Sequence, residues 1–176
     1  RNKTLGVLGF GRIGQRVGEI ARVFGMKVVA YDPYLPAEIF AKNEATSMSI
    51  AEVCEVADFV TIHLPLTPET KNMFNKDSIS KMKKGVIIIN TARGPLVHEQ
   101  DMATALKAGQ VGWYAADVVC KEPMAQDNPL LGIPNCIITP HIAWATQEAR
   151  SRLMAIAADN IKCFQQGNPV NVVNKN

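Results

Sequence analysis

Three residues carry the side chains for acid–base chemistry on an anion: Arg93, Glu122 and His141. Arg93 follows the run KKGVIIINTA, in which Gly85 to Ile89 has no charge or hydroxyl and suits a strand buried on both faces. Gly94 and Pro95 force a turn behind it, so a buried strand aims a guanidinium off its end. A guanidinium is the group best shaped to grip a carboxylate in a two-point fork. Glu122, in Glu122-Pro123, lies on the loop beyond a predicted strand that ends in Asp117-Val118. His141, in Pro140-His141-Ile142-Ala143-Trp144, follows another predicted strand, Cys136 to Thr139. An imidazole beside a carboxylate is held in one orientation and can hand a proton to a ketone oxygen near neutral pH. Taken singly, a loop arginine is usually solvated and a lone histidine usually structural. The trio gains meaning only if one edge of the fold collects it.

The elements that must do the collecting alternate strand, turn and helix. Thr4 to Gly9 reads as a buried strand, and Ile13, Val17, Ile20, Ala21 and Phe24 then recur at helical spacing. Gly25 ends that helix and Lys27 to Tyr31 is a second strand. Ser49 and Glu52 form a capping box before a short helix, and Asp58 to His63 is the next strand. A short helix near Asp77 to Met82 precedes the strand Val86 to Asn90, and a further helix runs from about Glu99 to Ala108. Gly112 to Val118 and Cys136 to Thr139 add two strands. A long last helix, about Thr146 to Gln166, is expected to pack Leu153, Ile156, Ala157 and Phe164 along one face. This alternation predicts an α/β fold, a doubly wound parallel sheet with helices on both faces. Such sheets bind ligands beyond the carboxyl ends of their strands, where Arg93, Glu122 and His141 all fall.

Gly9-Phe10-Gly11-Arg12-Ile13-Gly14 follows the first strand and opens the first helix, and Asp32 ends the second strand. The first glycine permits a tight turn, the second lets backbone approach a pyrophosphate, and the third allows close helix–strand packing. A carboxylate after the second strand accepts from ribose hydroxyls and repels a 2′-phosphate, which favours NAD over NADP. A glycine turn without a ligand and a methyltransferase with a similar turn compete for the fingerprint alone. With Arg93, Glu122 and His141, the rim has the parts for reducing a 2-oxo acid: a hydride source, a proton source and a carboxylate clamp. His63 ends a strand, so its backbone can line the site, and His98 begins a helix.

The chain has 176 residues and a formal charge of +3, with both signs of charge mixed along its length. No basic block points to nucleic acid, and no apolar run is long enough to span a membrane. Cys54, Cys120, Cys136 and Cys163 have no metal-like spacing; buried, reduced thiols and a cytoplasmic home are expected, with no metal site. Arg1-Asn2-Lys3 runs straight into a strand, which reads as a domain cut from a longer chain.

In their order, GFGRIG, YD, HLPLT, NTARG, DV…EP and PHIAW resemble the D-isomer-specific 2-hydroxyacid dehydrogenases over essentially the whole length. The resemblance implies a Rossmann coenzyme domain over residues 1–176, the smaller substrate domain lying outside this chain. It implies Arg93 as the substrate clamp, His141 as the general acid/base and Glu122 as its paired carboxylate. It also implies NAD contacts from Gly9, Gly11, Arg12, Ile13, Gly14, Asp32, Leu64, Pro65, Thr91, Ala92, Asp117 and His141. The small-molecule partner would be a 2-oxo or D-2-hydroxy acid, and two copies would pair through their coenzyme domains. Glycerate dehydrogenases, or hydroxypyruvate reductases, are the most similar in appearance, with phosphoglycerate dehydrogenases next. Formate dehydrogenases pair their histidine with a glutamine, so Glu122 counts against them. A non-catalytic NAD-sensing corepressor scaffold shares the same motifs. One departure is His98, where the family commonly has the better N-cap Asp.

Overall fold

Successive residues of Thr4–Leu8 (β1) face opposite layers, which is why the strand tolerates no polar face. Leu5 and Val7 join Phe10, Ala21, Val28, Ala30 and Phe40 in one core, whereas Leu8 joins the other. The computed structural model describes residues 2–174, which divide into two compact units at the Pro140–His141 bond. The first unit contains β1, Arg12–Val23 (α1), Lys27–Tyr31 (β2), Ala37–Lys42 (α2), Thr46–Ser47 (β3) and Ile50–Val56 (α3). It continues with Phe59–Ile62 (β4), Lys76–Ser80 (α4), Val86–Asn90 (β5), Glu99–Lys107 (α5), Val111–Ala116 (β6) and Cys136–Ile138 (β7).

Among the described residues, seven strands form one parallel sheet in the order β3-β2-β1-β4-β5-β6-β7. The order reverses between β1 and β4, and this topological switch point is where open α/β sheets leave a crevice. The expected doubly wound α/β class holds. The larger core, on the second face, packs Val53, Val60, Ile62, Ile88, Leu96, Met102 and Tyr114 together. Ser49 and Glu52 form the expected capping box on α3, with bonds of 3.3 and 2.8 Å.

Several expectations are corrected. The first helix exists, but it buries Gly14, Gly18 and Ala21, leaving Ile13, Ile20 and Phe24 exposed. Helix and sheet approach so closely there that a Cβ on Gly18 would already touch Phe10 and Val28 at 3.4 Å. On β5, Ile87 and Ile89 are only half-buried, so one face of that strand is less covered than its sequence implies. The second unit is built on Gln147–Gln165 (α6), which Thr146 caps by accepting the Ala149 N–H at 3.3 Å. None of the residues of α6 is buried; Leu153, Ile156 and Phe164 are exposed rather than packed. A lone helix has no second layer of its own to cover an apolar face. Cys54 is buried as expected, but Cys136 and Cys163 are only half-buried and Cys120 is exposed; all four are free thiols.

Candidate active site

Strand register lines up one row of residues across the sheet: Tyr31, Leu8, Ile62, Asn90, Ala116 and Ile138. The residues that leave this row are Asp32, Gly9, His63, Thr91, Asp117 and Thr139, so the carboxyl edge is flush. Residues distant in sequence are thereby delivered to one rim.

At the switch point Gly9 has φ of 91°, a left-handed conformation that favours glycine. A Cβ there would lie 2.7 Å from the His63 carbonyl, so β1 and β4 can close only around glycine. A Cβ on Gly14 would collide with the Gly9 carbonyl, whereas one on Gly11 would meet nothing within 4 Å. The outer glycines thus tighten the turn and the middle one leaves backbone open to an approaching ligand. Gly11 caps α1 without a side-chain acceptor, so the first N–H groups of that helix face an anion's place. Arg12 and Ile13 stand exposed beside them. Asp32 accepts from the buried Phe10 N–H and from the Tyr34 N–H, both at 3.0 Å, which fixes its carboxylate beside the turn. These features fit a dinucleotide: open backbone for the pyrophosphate, and an oriented carboxylate for ribose hydroxyls.

The HLPLT turn follows β4. The His63 N–H donates to the Leu8 carbonyl at 2.7 Å, and Leu64 is buried while Pro65 is exposed. The Thr70 hydroxyl donates to the Pro65 carbonyl at 2.8 Å and holds the turn shut. The His63 ring pairs with the Thr61 hydroxyl at 3.0 Å, and burial lowers its pKa from the ordinary 6.5. Burial therefore disfavours the imidazolium form of this ring.

Beyond β5, the wholly buried Asn90 organises the turn that presents Arg93. Its Oδ1 accepts the Ala92 N–H and its Nδ2 donates to the Arg93 carbonyl, both at 3.0 Å. Arg93 itself is exposed and donates from Nη1 to the Ala92 carbonyl at 2.7 Å, and Thr91 is exposed next to it. A Cβ on Gly94 would collide with the Val119–Cys120 peptide, so this turn rests directly on the loop that carries Glu122. Asp117 is buried, its N–H donates to the Asn90 carbonyl at 2.9 Å, and its Oδ1 accepts the Thr139 hydroxyl at 2.5 Å. Glu122 is exposed and accepts the Val119 N–H at 3.2 Å.

The first unit by itself therefore gathers every predicted residue except His141, which opens the second unit. There His141 has φ of 55°, rarely adopted outside glycine, and its carbonyl accepts the Trp144 indole N–H at 2.9 Å. Asn90 and Thr139 were not singled out by sequence as site residues, and Gly94 was read only as a turn former. An asparagine at a strand's end, able to cap its own turn, was the one local signal available. Among the described residues, no group of His, Cys, Asp and Glu is arranged to hold a metal ion.

A glycine turn at the switch point of a parallel sheet, with an oriented acid after β2, defines a dinucleotide-binding domain of the Rossmann type. The chain belongs to the D-isomer specific 2-hydroxyacid dehydrogenases: the family's NAD binding domain matches residues 1–143, which makes NAD the cofactor. It is 51% identical over 173 residues to a hydroxypyruvate reductase of Blautia hydrogenotrophica, covering 98% of this chain and 53% of that protein. It is 45% identical over 175 residues to a D-3-phosphoglycerate dehydrogenase of Methanocaldococcus jannaschii, covering 98% and 33%. The fold matches the crystal structure of D-lactate dehydrogenase with NAD+ from Lactobacillus jensenii with a TM-score of 0.89 at 29% identity, covering 99% and 56%. The chain thus spans about half the length, or less, of these relatives.

Proposed function

We propose that this chain is the coenzyme-binding part of an NAD-dependent dehydrogenase that interconverts a 2-oxo acid and a D-2-hydroxy acid, with hydroxypyruvate and D-glycerate the preferred pair. The observation that carries the reading is the flush strand edge, which delivers the glycine turn, Asp32, Arg93, Asp117 and Glu122 to one rim. The relative at 51% identity, a hydroxypyruvate reductase, supports the substrate pair.

Bound NADH would supply the hydride. Gly9, Gly11 and Gly14 would admit its pyrophosphate to the start of α1, and Asp32 would take its adenosine ribose. Leu64, Pro65, Thr91 and Ala92 would line the bound cofactor with backbone, and Asp117 would hold its carboxamide. Arg93 holds the oxo acid through its carboxylate, which fixes the ketone carbon in place for attack. His141 gives the proton to the ketone oxygen, and Glu122 is its carboxylate partner. The role of His141 rests on its match to the family's PHIAW motif. Two copies pairing through this domain, and a cytoplasmic home for its free thiols, belong to the same proposal.

The test is a turnover panel with NADH and hydroxypyruvate, glyoxylate, pyruvate and phosphohydroxypyruvate, run on the two-domain protein. A preference for hydroxypyruvate is expected. The 45% identity to a phosphoglycerate dehydrogenase favours one second reading, and a preference for the phosphorylated substrate would establish it. NADH binding with no turnover of any oxo acid would instead mark a non-catalytic sensor.

A further inference from the structure

Glu99 is the first residue of α5, but its carboxylate does not cap that helix. It crosses to the loop after β6 instead. Oε1 accepts the Cys120 N–H at 2.8 Å, and Oε2 accepts the Asn128 Nδ2–H at 3.1 Å. Those two contacts fall at the two ends of the segment that holds Glu122. The far end is fixed further, because buried Asn128 accepts the Leu130 N–H at 2.9 Å. The near end is pressed by the Gly94 turn, and the Cys120 thiol lies 3.6 Å from the Val97 carbonyl. Glu122 hangs inside this closed loop, holding the Val119 N–H.

We propose that Glu99 is a positioning residue, whose carboxylate closes the 119–128 loop at both ends and so sets where Glu122 stands on the rim. The proposal rests on the dehydrogenase reading for its consequence, but not for its geometry. Charge-assisted bonds from one carboxylate to two chain segments are strong and directional. The same side chain marks its surroundings electrically. Cys120 is exposed as a residue, but partial desolvation of its thiol against Val97 pushes the pKa up to about 11, and the Glu99 charge adds to that rise. The Cys136 thiol is raised to about 11 by burial with a second contribution from Glu99.

The experiment compares Glu99→Gln and Glu99→Ala with the unaltered protein in two readouts. Amide hydrogen exchange on this chain reads the anchoring directly. Glu99→Ala should speed exchange at Cys120 and across 119–128 by about 10-fold or more, with β5 and β6 unchanged. Glu99→Gln keeps one acceptor and should fall between. Turnover in the two-domain protein reads the consequence. Glu99→Ala should lower kcat about 10- to 100-fold and move the pH–rate profile, with little change in KM for NADH. Glu99→Gln should recover part of both effects.

Unchanged protection of the Cys120 amide in Glu99→Ala would overturn the anchoring. A loosened loop with unaltered kcat and pH profile would overturn the positioning of Glu122. If the unaltered protein reduced no oxo acid, the dehydrogenase reading would fall alone, since the exchange readout still decides the anchoring.

Discussion

Asp32 uses both carboxylate oxygens on backbone N–H groups, yet each oxygen keeps a lone pair for a ribose hydroxyl. A 2′-phosphate would instead meet a like charge, which costs about 1 kcal/mol even when half solvated, or about 5-fold in affinity. NADH should therefore bind ahead of NADPH by at least that factor. Asp32→Asn removes the charge while keeping an acceptor for one N–H, so it should narrow the gap; equal affinity of the unaltered protein for both nucleotides would defeat the assignment. His141→Ala should lower kcat by about 10² to 10⁴, the usual worth of a general acid/base. Arg93→Lys should raise KM for the oxo acid as well as lower kcat, because a point charge replaces the two-point fork. Glu122→Gln should move the pH–rate profile, and an unmoved profile breaks its pairing with His141. His63 gives a stability prediction with a definite sign. Its folded pKa lies below the ordinary 6.5, because burial disfavours the imidazolium. Below 6.5 the unfolded chain binds the proton more readily. Stability is thus full above that pH and falls as pH drops from 6.5 toward the lowered folded value. Denaturant midpoints between pH 8 and 5 (about the span in which histidine titrates) check this, with His63→Gln flattening the slope.

At the scale of elements, the turn after β5 stands on one side chain. Asn90→Ala would leave the Ala92 N–H and the Arg93 carbonyl without their partner, costing about 1 to 3 kcal/mol in a urea melt. It should also weaken oxo-acid binding, since Arg93 would lose its fixed backbone. Much of this architecture was legible in the sequence because strand, glycine turn and helix leave separate local marks. GFGRIG carries its turn chemistry in three residues, and Ser49 with Glu52 announces α3. The short α2 and β3 left no such mark: six residues and two residues are too few for a period to emerge. The Glu99 bonds were invisible for another reason. Twenty-one residues separate Glu99 from Cys120, and only the folded register brings them together. The apolar period of α6 was read correctly as helical but wrongly as packed. A period reports which side chains share a face, and says nothing of what lies against it.

For the molecule as a whole, the proposal separates binding from turnover. The sheet, both cores and the proposed NAD-binding edge lie in the first unit, so the 176-residue chain should fold and bind NADH unaided. Reduction asks for more: the oxo acid must be oriented against the cofactor and shielded from water. Arg93, the proposed grip, is exposed and bonded to its own neighbour, Ala92. An isolated guanidinium in water holds a carboxylate weakly, because solvent screens the pair. Orientation and exclusion of water are worth roughly 7 kcal/mol when fully realised. On the proposed function they come from a substrate domain whose sequence lies outside these residues. The chain alone should therefore bind NADH comparably to the two-domain protein but reduce hydroxypyruvate at least about 10³-fold more slowly. Fluorescence titration of NADH and the rate of its oxidation, measured side by side on both proteins, separate the two properties. Equal turnover would show that these 176 residues suffice for catalysis, and the division of labour between domains would have to be abandoned.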